Sequence, residues 1–192
     1  MLTNKIYVVF LVFTVCEANF GHGEQSVSFS WDNCGTGEQA LIKELTLSPT
    51  PLIIPGNVTI DFVGESAIDA VSPLKTQLTM KRKLGFFWID IPCVDDLGSC
   101  NYDDGCTLLE KYFPVKDPCP PVFLDNNIPC HCPFPKGEYK IPSYTVDIPS
   151  DPLPSWLSDG QYKIRIEISP NYACVDLSLT LGSSNPSVNL IV

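Results

Sequence analysis

The chain has 192 residues, with 12 Lys and Arg against 22 Asp and Glu and a formal charge of −10; its pI is near 4.5. That length fits one domain once any targeting segment is removed. The acidity argues against nucleic acid as a partner, since phosphate binding needs clustered Lys and Arg.

The opening MLTNKIYVVFLVFTVCEA places one lysine ahead of an apolar run from Ile6 to Val15. This is the layout of a secretory signal, too short to span a bilayer comfortably. Cleavage after Ala18 suits the small-residue rule, with Gly21 as the later alternative. Residues 1–18 are therefore expected to be a signal peptide and 19–27 a flexible N-terminus. No later run is long and apolar enough to cross a membrane, so a soluble, exported protein is expected. Losing the signal removes Cys16 and leaves eight of the nine cysteines. In an oxidising compartment that number implies four disulfides, although the count allows on the order of a hundred pairings. Asn57-Val58-Thr59 is a glycosylation acceptor that agrees with export.

From residue 27 onward most of the chain alternates apolar and polar residues with a period of two, as half-buried strands do. Val27, Phe29 and Trp31 alternate with serines, and Val58, Ile60 and Phe62 follow the turn at Pro55-Gly56. Leu74, Thr76, Leu78 and Met80 obey the same rule, as do Tyr162, Ile164, Ile166 and Ile168, and then Val175, Leu177, Leu179 and Leu181. One wet and one apolar face per strand predicts an all-β, antiparallel sandwich or cup. A single helix is predicted in DDGCTLLEKYF, where Leu108, Leu109, Tyr112 and Phe113 fall at helical spacing. Asp103 or Asp104 would cap it and Pro114 would stop it. Residues 114–154 read as loop, because eleven of the eighteen prolines lie there and proline is excluded from central strands. Cys119, Cys130 and Cys132 suggest that this loop is stapled.

Candidate sites divide by chemistry. Cys130-His131-Cys132 has zinc-like composition, but the other histidine, His22, lies in the N-terminal segment. An exported chain with eight cysteines more often oxidises them. With one histidine in the body of the chain a nucleophilic triad is hard to build, and no G-x-S-x-G elbow or phosphate loop is present. No catalytic residues and no metal or other cofactor are therefore expected. Asp95-Asp96 and Asp103-Asp104 are candidate calcium ligands or an acid/base couple, against the plainer reading of solvated loop acids. The apolar clusters say more. Phe86, Phe87 and Trp88 follow the basic run Lys81-Arg82-Lys83, and Leu153, Trp156 and Leu157 sit in a proline-flanked turn. Tryptophan in a loop suits a membrane interface, and neighbouring lysines suit anionic headgroups. Core packing is the competing explanation for Trp156.

SFSWDNC (28–34), LTLSPTPLIIPGNVT (45–59), FFWIDIPC (86–93), GSC (98–100), IPCHCPF (128–134) and LPSWL (153–157) together resemble the sphingolipid-activating members of the MD-2-related lipid-recognition (ML) family. The resemblance covers residues 28–181, leaving 182–192 as a tail. It implies an immunoglobulin-like β-cup with an internal lipid cavity, and bridges Cys34–Cys174, Cys93–Cys100, Cys106–Cys132 and Cys119–Cys130. It implies a glycosphingolipid ligand, reversible docking on membranes favoured by acid, and a lysosomal hydrolase partner, β-hexosaminidase, in a secretory or lysosomal setting. A carrier of phospholipid or sterol without such a partner is the alternative. The segment Ser66–Pro73, the helix and the tail depart from the family pattern, and these bear on lipid choice and hydrolase docking.

Overall fold

A computed structural model describes residues 28–115, 117–148 and 159–183. Among them the elements run β1 (Phe29–Asn33), β2 (Ala40–Ser48), β3 (Leu52–Ile54), β4 (Gly56–Ser66), β5 (Lys75–Leu84), β6 (Phe87–Asp90), β7 (Asn101–Tyr102), α1 (Gly105–Tyr112), α2 (Pro121–Asp125), β8 (Gly137–Ile148), β9 (Gly160–Ser169) and β10 (Ala173–Ser183). One sheet has the order β1-β10-β9-β5-β6, with β3 beside β10 and β7 beside β5; the other is β2-β4-β8. Pairing is antiparallel except between β3 and β10.

The period-two pattern dictates how the sheets meet. On β5 and β9 the pairs Leu78–Ile166, Met80–Ile164 and Arg82–Tyr162 stand opposite one another, and Leu177 and Leu179 on β10 extend the row. Across from them Val58 and Ile60 face inward from β4. Leu52, Val58, Met80, Ile91, Tyr162 and Leu181 form the buried cluster, with Leu47, Ile54, Ile60 and Ile148 packed against it. Tyr162 is 1% exposed. Burying a large apolar side chain stabilises a fold by about 1.5–3 kcal/mol, so this cluster holds the two layers together.

Two side chains on β1 tie the layers along one edge. The Trp31 indole N–H donates to the Leu45 carbonyl at 2.9 Å. The Asn33 amide donates to the Ile42 carbonyl at 2.9 Å and accepts the Ile42 N–H at 3.1 Å. These bonds meet β2 where its register slips between Ile42 and Glu44, so polar backbone groups find partners in the other sheet.

The prediction of loop from 114 to 154 is corrected in two places. Pro120 and Pro121 start a second helix, α2, because proline has no N–H to lose in a first turn. More important, β8 is a twelve-residue strand that contains Pro142. Among the described residues it is an edge strand, paired only with β4. Opposite the proline the register slips, Ile60 facing Tyr144 and Phe62 facing Ile141. Asp61 alone stands across from Pro142 and Ser143, and its carboxylate accepts the Ser143 N–H at 2.7 Å. A bulge at an edge is where a sheet tolerates proline.

Helix α1 sits close to its predicted place. Of the two candidate caps, Asp104 caps it, accepting from the N–H of Cys106 at 3.0 Å. The same carboxylate accepts from the Leu74 N–H at 2.9 Å and from the Ser72 hydroxyl. It thereby binds the helix start to the segment that leads into β5.

Candidate functional site

The strands place their loops at two ends. At one end lie the β5–β6 hairpin, β3 and the start of β4; at the other lie the helices and the turn from β9 to β10. Disulfides staple the second end. Cys34 is joined to Cys174, Cys106 to Cys132 and Cys119 to Cys130, while Cys93–Cys100 closes the small loop after β6. These are the pairs implied by the resemblance.

Beneath the stapled segment an open, almost wholly apolar pocket of about 280 Å³ lies between the sheets. Phe62 and Ile141 come from one sheet and Val175 from the other, while Phe123 and Ile128 come from α2 and its following loop. The Phe113 and Phe123 rings meet edge to face, centroids 5.7 Å apart, and join α2 to the end of α1. Tyr172 lines the pocket while its hydroxyl bonds Ser66 at 3.0 Å. A second apolar groove of about 300 Å³ runs along the inner side of the hairpin, past Leu84, Ile89, Ile91 and Val94. Each space is at the lower end of the size usual for small-molecule sites, roughly 300–1,000 Å³. The pocket's contributors from 123 to 141 were not anticipated, since proline content masked them. The alternation of Tyr139 and Ile141 with Glu138 and Lys140 was the available signal.

The expected lipid-contact residues separate. Phe86 is 93% and Phe87 74% exposed at the hairpin tip, with Leu84 and Ile89 about half exposed beside them. Trp88 does not join them. It pairs with Lys83 on the outer face of the sheet, where the Lys163 ammonium lies 4.5 Å from its ring centroid. The reason is the alternation itself: a strand that turns Phe87 and Ile89 inward must turn Trp88 outward. Leu153, Trp156 and Leu157, like residues 1–27 and those beyond 183, lie outside the described residues. Asn57 is exposed on β4, opposite Asp147, and Thr59 of the same sequon bonds Thr145 at 2.9 Å.

Several of the candidate catalytic and metal residues have structural partners. Cys119, Cys130 and His131 come within metal-binding reach of one another. Because the two cysteines are bonded together, they offer no thiolate, the form that binds zinc. His131 Nε2 donates to the Phe113 carbonyl at 2.7 Å, and Nδ1 lies 3.2 Å from the Cys130 sulfur. Asp95 and Asp96 occupy positive φ (51° and 62°) in the turn between Val94 and Leu97. Asp96 also holds Lys111 in an ion pair. Hydrogen bonding, first from Ser72, lowers the Asp104 pKa below the ordinary 3.8.

Residues 28–181 match the family described as ML domain. A ganglioside GM2 activator from Macaca fascicularis is 40% identical over 164 residues, 83% of this chain and 86% of that protein. One from Mus musculus is 39% identical over 157 residues, 80% of this chain and 81% of that protein. Among solved structures, a Niemann-Pick type C2 protein from the Japanese carpenter ant aligns at 13% identity and a TM-score of 0.38, over 79% of this chain and 98% of that one; at that score nothing further rests on it. With residues 28–181 matched by the ML-domain family and relatives near 40% identity over four fifths of its length, the chain belongs to that family.

Proposed function

We propose that the chain is a non-enzymatic lipid-transfer protein that withdraws a glycosphingolipid, a ganglioside, from a membrane and presents its sugar to a lysosomal hydrolase, β-hexosaminidase. The observation that carries this reading is the apolar space left open between two sheets of an otherwise packed sandwich. A ceramide has roughly thirty methylenes, worth about 0.8 kcal/mol each when buried. Leaving the bilayer therefore costs more than about 20 kcal/mol unless an apolar lining replaces it, and the inward Phe, Ile, Leu and Val of these strands offer one. The names of the ganglioside GM2 activators support the choice of lipid and an activating role.

Phe86 and Phe87, with Leu153, Trp156 and Leu157, dock the protein reversibly on the bilayer, most readily at acidic pH, where carboxylates protonate and repulsion from anionic lipid fades. Removal of residues 1–18, glycosylation at Asn57 and delivery to the lysosome or outside the cell belong to the same reading. No cofactor takes part; the lipid is the ligand.

The test is mass spectrometry of lipid that co-purifies with the protein, beside stimulation of β-hexosaminidase on ganglioside in vesicles. Ganglioside on the protein with stimulation is the expected result. Sterol or phospholipid without stimulation would identify a carrier instead. Trp156→Ala should weaken vesicle binding at pH 5 with little change in Tm; a large loss of stability would place Trp156 in the core.

A further inference from the structure

We propose that the outer face of the first sheet carries a second ligand site, a groove that takes the uncharged sugar chain of a glycolipid standing in the bilayer. The proposal rests on the membrane docking described above. It concerns a lipid other than the one held between the sheets, because the sheet itself separates this groove from the apolar pocket.

The groove has a volume of about 610 Å³, well within the size usual for small-molecule sites, roughly 300–1,000 Å³. Its walls come from adjacent strands, β6, β5, β9 and β10, and not from loops, so their spacing is set by the hydrogen-bonded ladder. Site residues on such elements are held more precisely than those on loops.

The chemistry of the walls selects the ligand. Three cations, Lys81, Lys163 and Arg165, meet three anions: Glu167 and Asp176 line the groove with them, and Asp90 lies 3.4 Å from Lys81. A balanced set gives a charged ligand little net attraction. It does offer fixed donors and fixed acceptors side by side, and the Thr79 and Ser178 hydroxyls, which line the same groove, can act as either. Neighbouring hydroxyls on a sugar ring need that mixture, since each both donates and accepts. Arg165 and Asp176 are already in place, joined by two bonds of 2.8 and 2.7 Å. Arg165 holds the Asp176 carboxyl below the ordinary 3.8, so the pair stays charged in acid.

Trp88 supplies the remaining part. Alternation along β6 turns it away from the core cluster and onto the wet face, where it lines the groove. The Lys163 ammonium, 4.5 Å from the ring centroid, restrains the indole by a cation–π contact. An indole gives the C–H groups of a sugar ring an apolar surface and keeps an N–H for a hydroxyl.

Position selects a membrane glycolipid as the source of the sugar. Trp88 lies two residues from Phe86, which is 93% exposed at the hairpin tip; two strand residues span about 7 Å. With the tip in the bilayer, the groove stands just above the headgroups, in the layer that glycolipid sugars occupy.

The test titrates the whole mature protein at pH 5 with lactose and with the free neutral tetrasaccharide lacto-N-neotetraose, read by calorimetry and tryptophan fluorescence. Beside it, binding is measured to phosphatidylcholine vesicles with and without lactosylceramide. Saturable binding of the tetrasaccharide, insensitive to salt and to added inorganic phosphate, is expected. Lactosylceramide should strengthen vesicle binding about tenfold by adding a second point of attachment. Ser178→Phe, which fills the groove from the outer face, should abolish both effects and leave Tm and binding to plain phosphatidylcholine unchanged. Arg165→Gln/Asp176→Asn should weaken tetrasaccharide binding about tenfold, the loss expected when hydrogen bonds to charged groups are removed.

Absence of saturable tetrasaccharide binding overturns the sugar site, as does competition by phosphate, which would make the groove an anion site. Neither result touches the docking reading, which fails instead if Phe86→Ser/Phe87→Ser leaves binding to plain vesicles intact. Tetrasaccharide binding without any gain from lactosylceramide overturns the assignment to a membrane glycolipid. Should Ser178→Phe fail to fold, undiminished tetrasaccharide binding by Arg165→Gln/Asp176→Asn overturns the site equally.

Discussion

The Nε2–H of His131 donates to the carbonyl of Phe113, 2.7 Å away. Phe113 is the C-cap residue just after α1, where helical carbonyls have lost their partners. The histidine of the zinc-like triplet therefore ends a helix and fastens the stapled segment to it.

His131→Ala should accordingly cost about 1 kcal/mol of stability, the usual worth of one hydrogen bond, and leave lipid transfer between vesicles unchanged in protein that stays folded. Thermal unfolding and a transfer assay read the two effects separately. Loss of transfer with Tm unchanged would revive a chemical role for the imidazole.

Asp104 provides a pH signature. Its folded pKa lies below the ordinary 3.8, chiefly because the Ser72 hydroxyl bonds the carboxylate. A depressed carboxylate contributes stability that is present above its unfolded value and is lost as pH falls through the folded one. Asp104→Ala should therefore lose about 0.5–2 kcal/mol, as removal of a helix cap does. The loss should be as large at pH 5 as at pH 7 and should close below the ordinary 3.8. Denaturant midpoints at pH 7, 5 and 3 check it; a gap that already closes at pH 5 would refute the assignment.

The apolar pocket under α2 is tested by filling it. Ala173 lines it from β10, and Ala173→Phe should place a ring in the open space. Ganglioside extraction should fall at least tenfold while Tm stays within a few degrees, the space being empty enough to avoid overpacking. Unaltered extraction would move the lipid elsewhere, to the hairpin groove first.

Cys106–Cys132 closes a loop with a sequence separation of 26 that contains α2. Its removal as Cys106→Ser/Cys132→Ser should cost about 2–4 kcal/mol and weaken lipid retention more than loss of Cys93–Cys100, which lies away from the pocket. Chemical denaturation and lipid content of the purified variants measure both.

Much of this molecule is legible in the chain because a strand's faces are written with period two. The rows on β5, β9 and β10 could be read directly, and so could the opposition of Phe87 and Trp88 across β6. The family resemblance implied the same cysteine pairs that the structure joins, which spacing alone left open. What only the tertiary structure decided is where local chemistry is overridden by position. Pro142 lies in a strand because β8 is an edge and Asp61 takes the neighbouring N–H. Trp88 faces lysines because two other strands bring them beside it. Asp104, alone of four loop acids, becomes a cap because Ser72 and Leu74 converge on it. Composition sets what a residue can do, but only neighbours distant in sequence select which of those things it does.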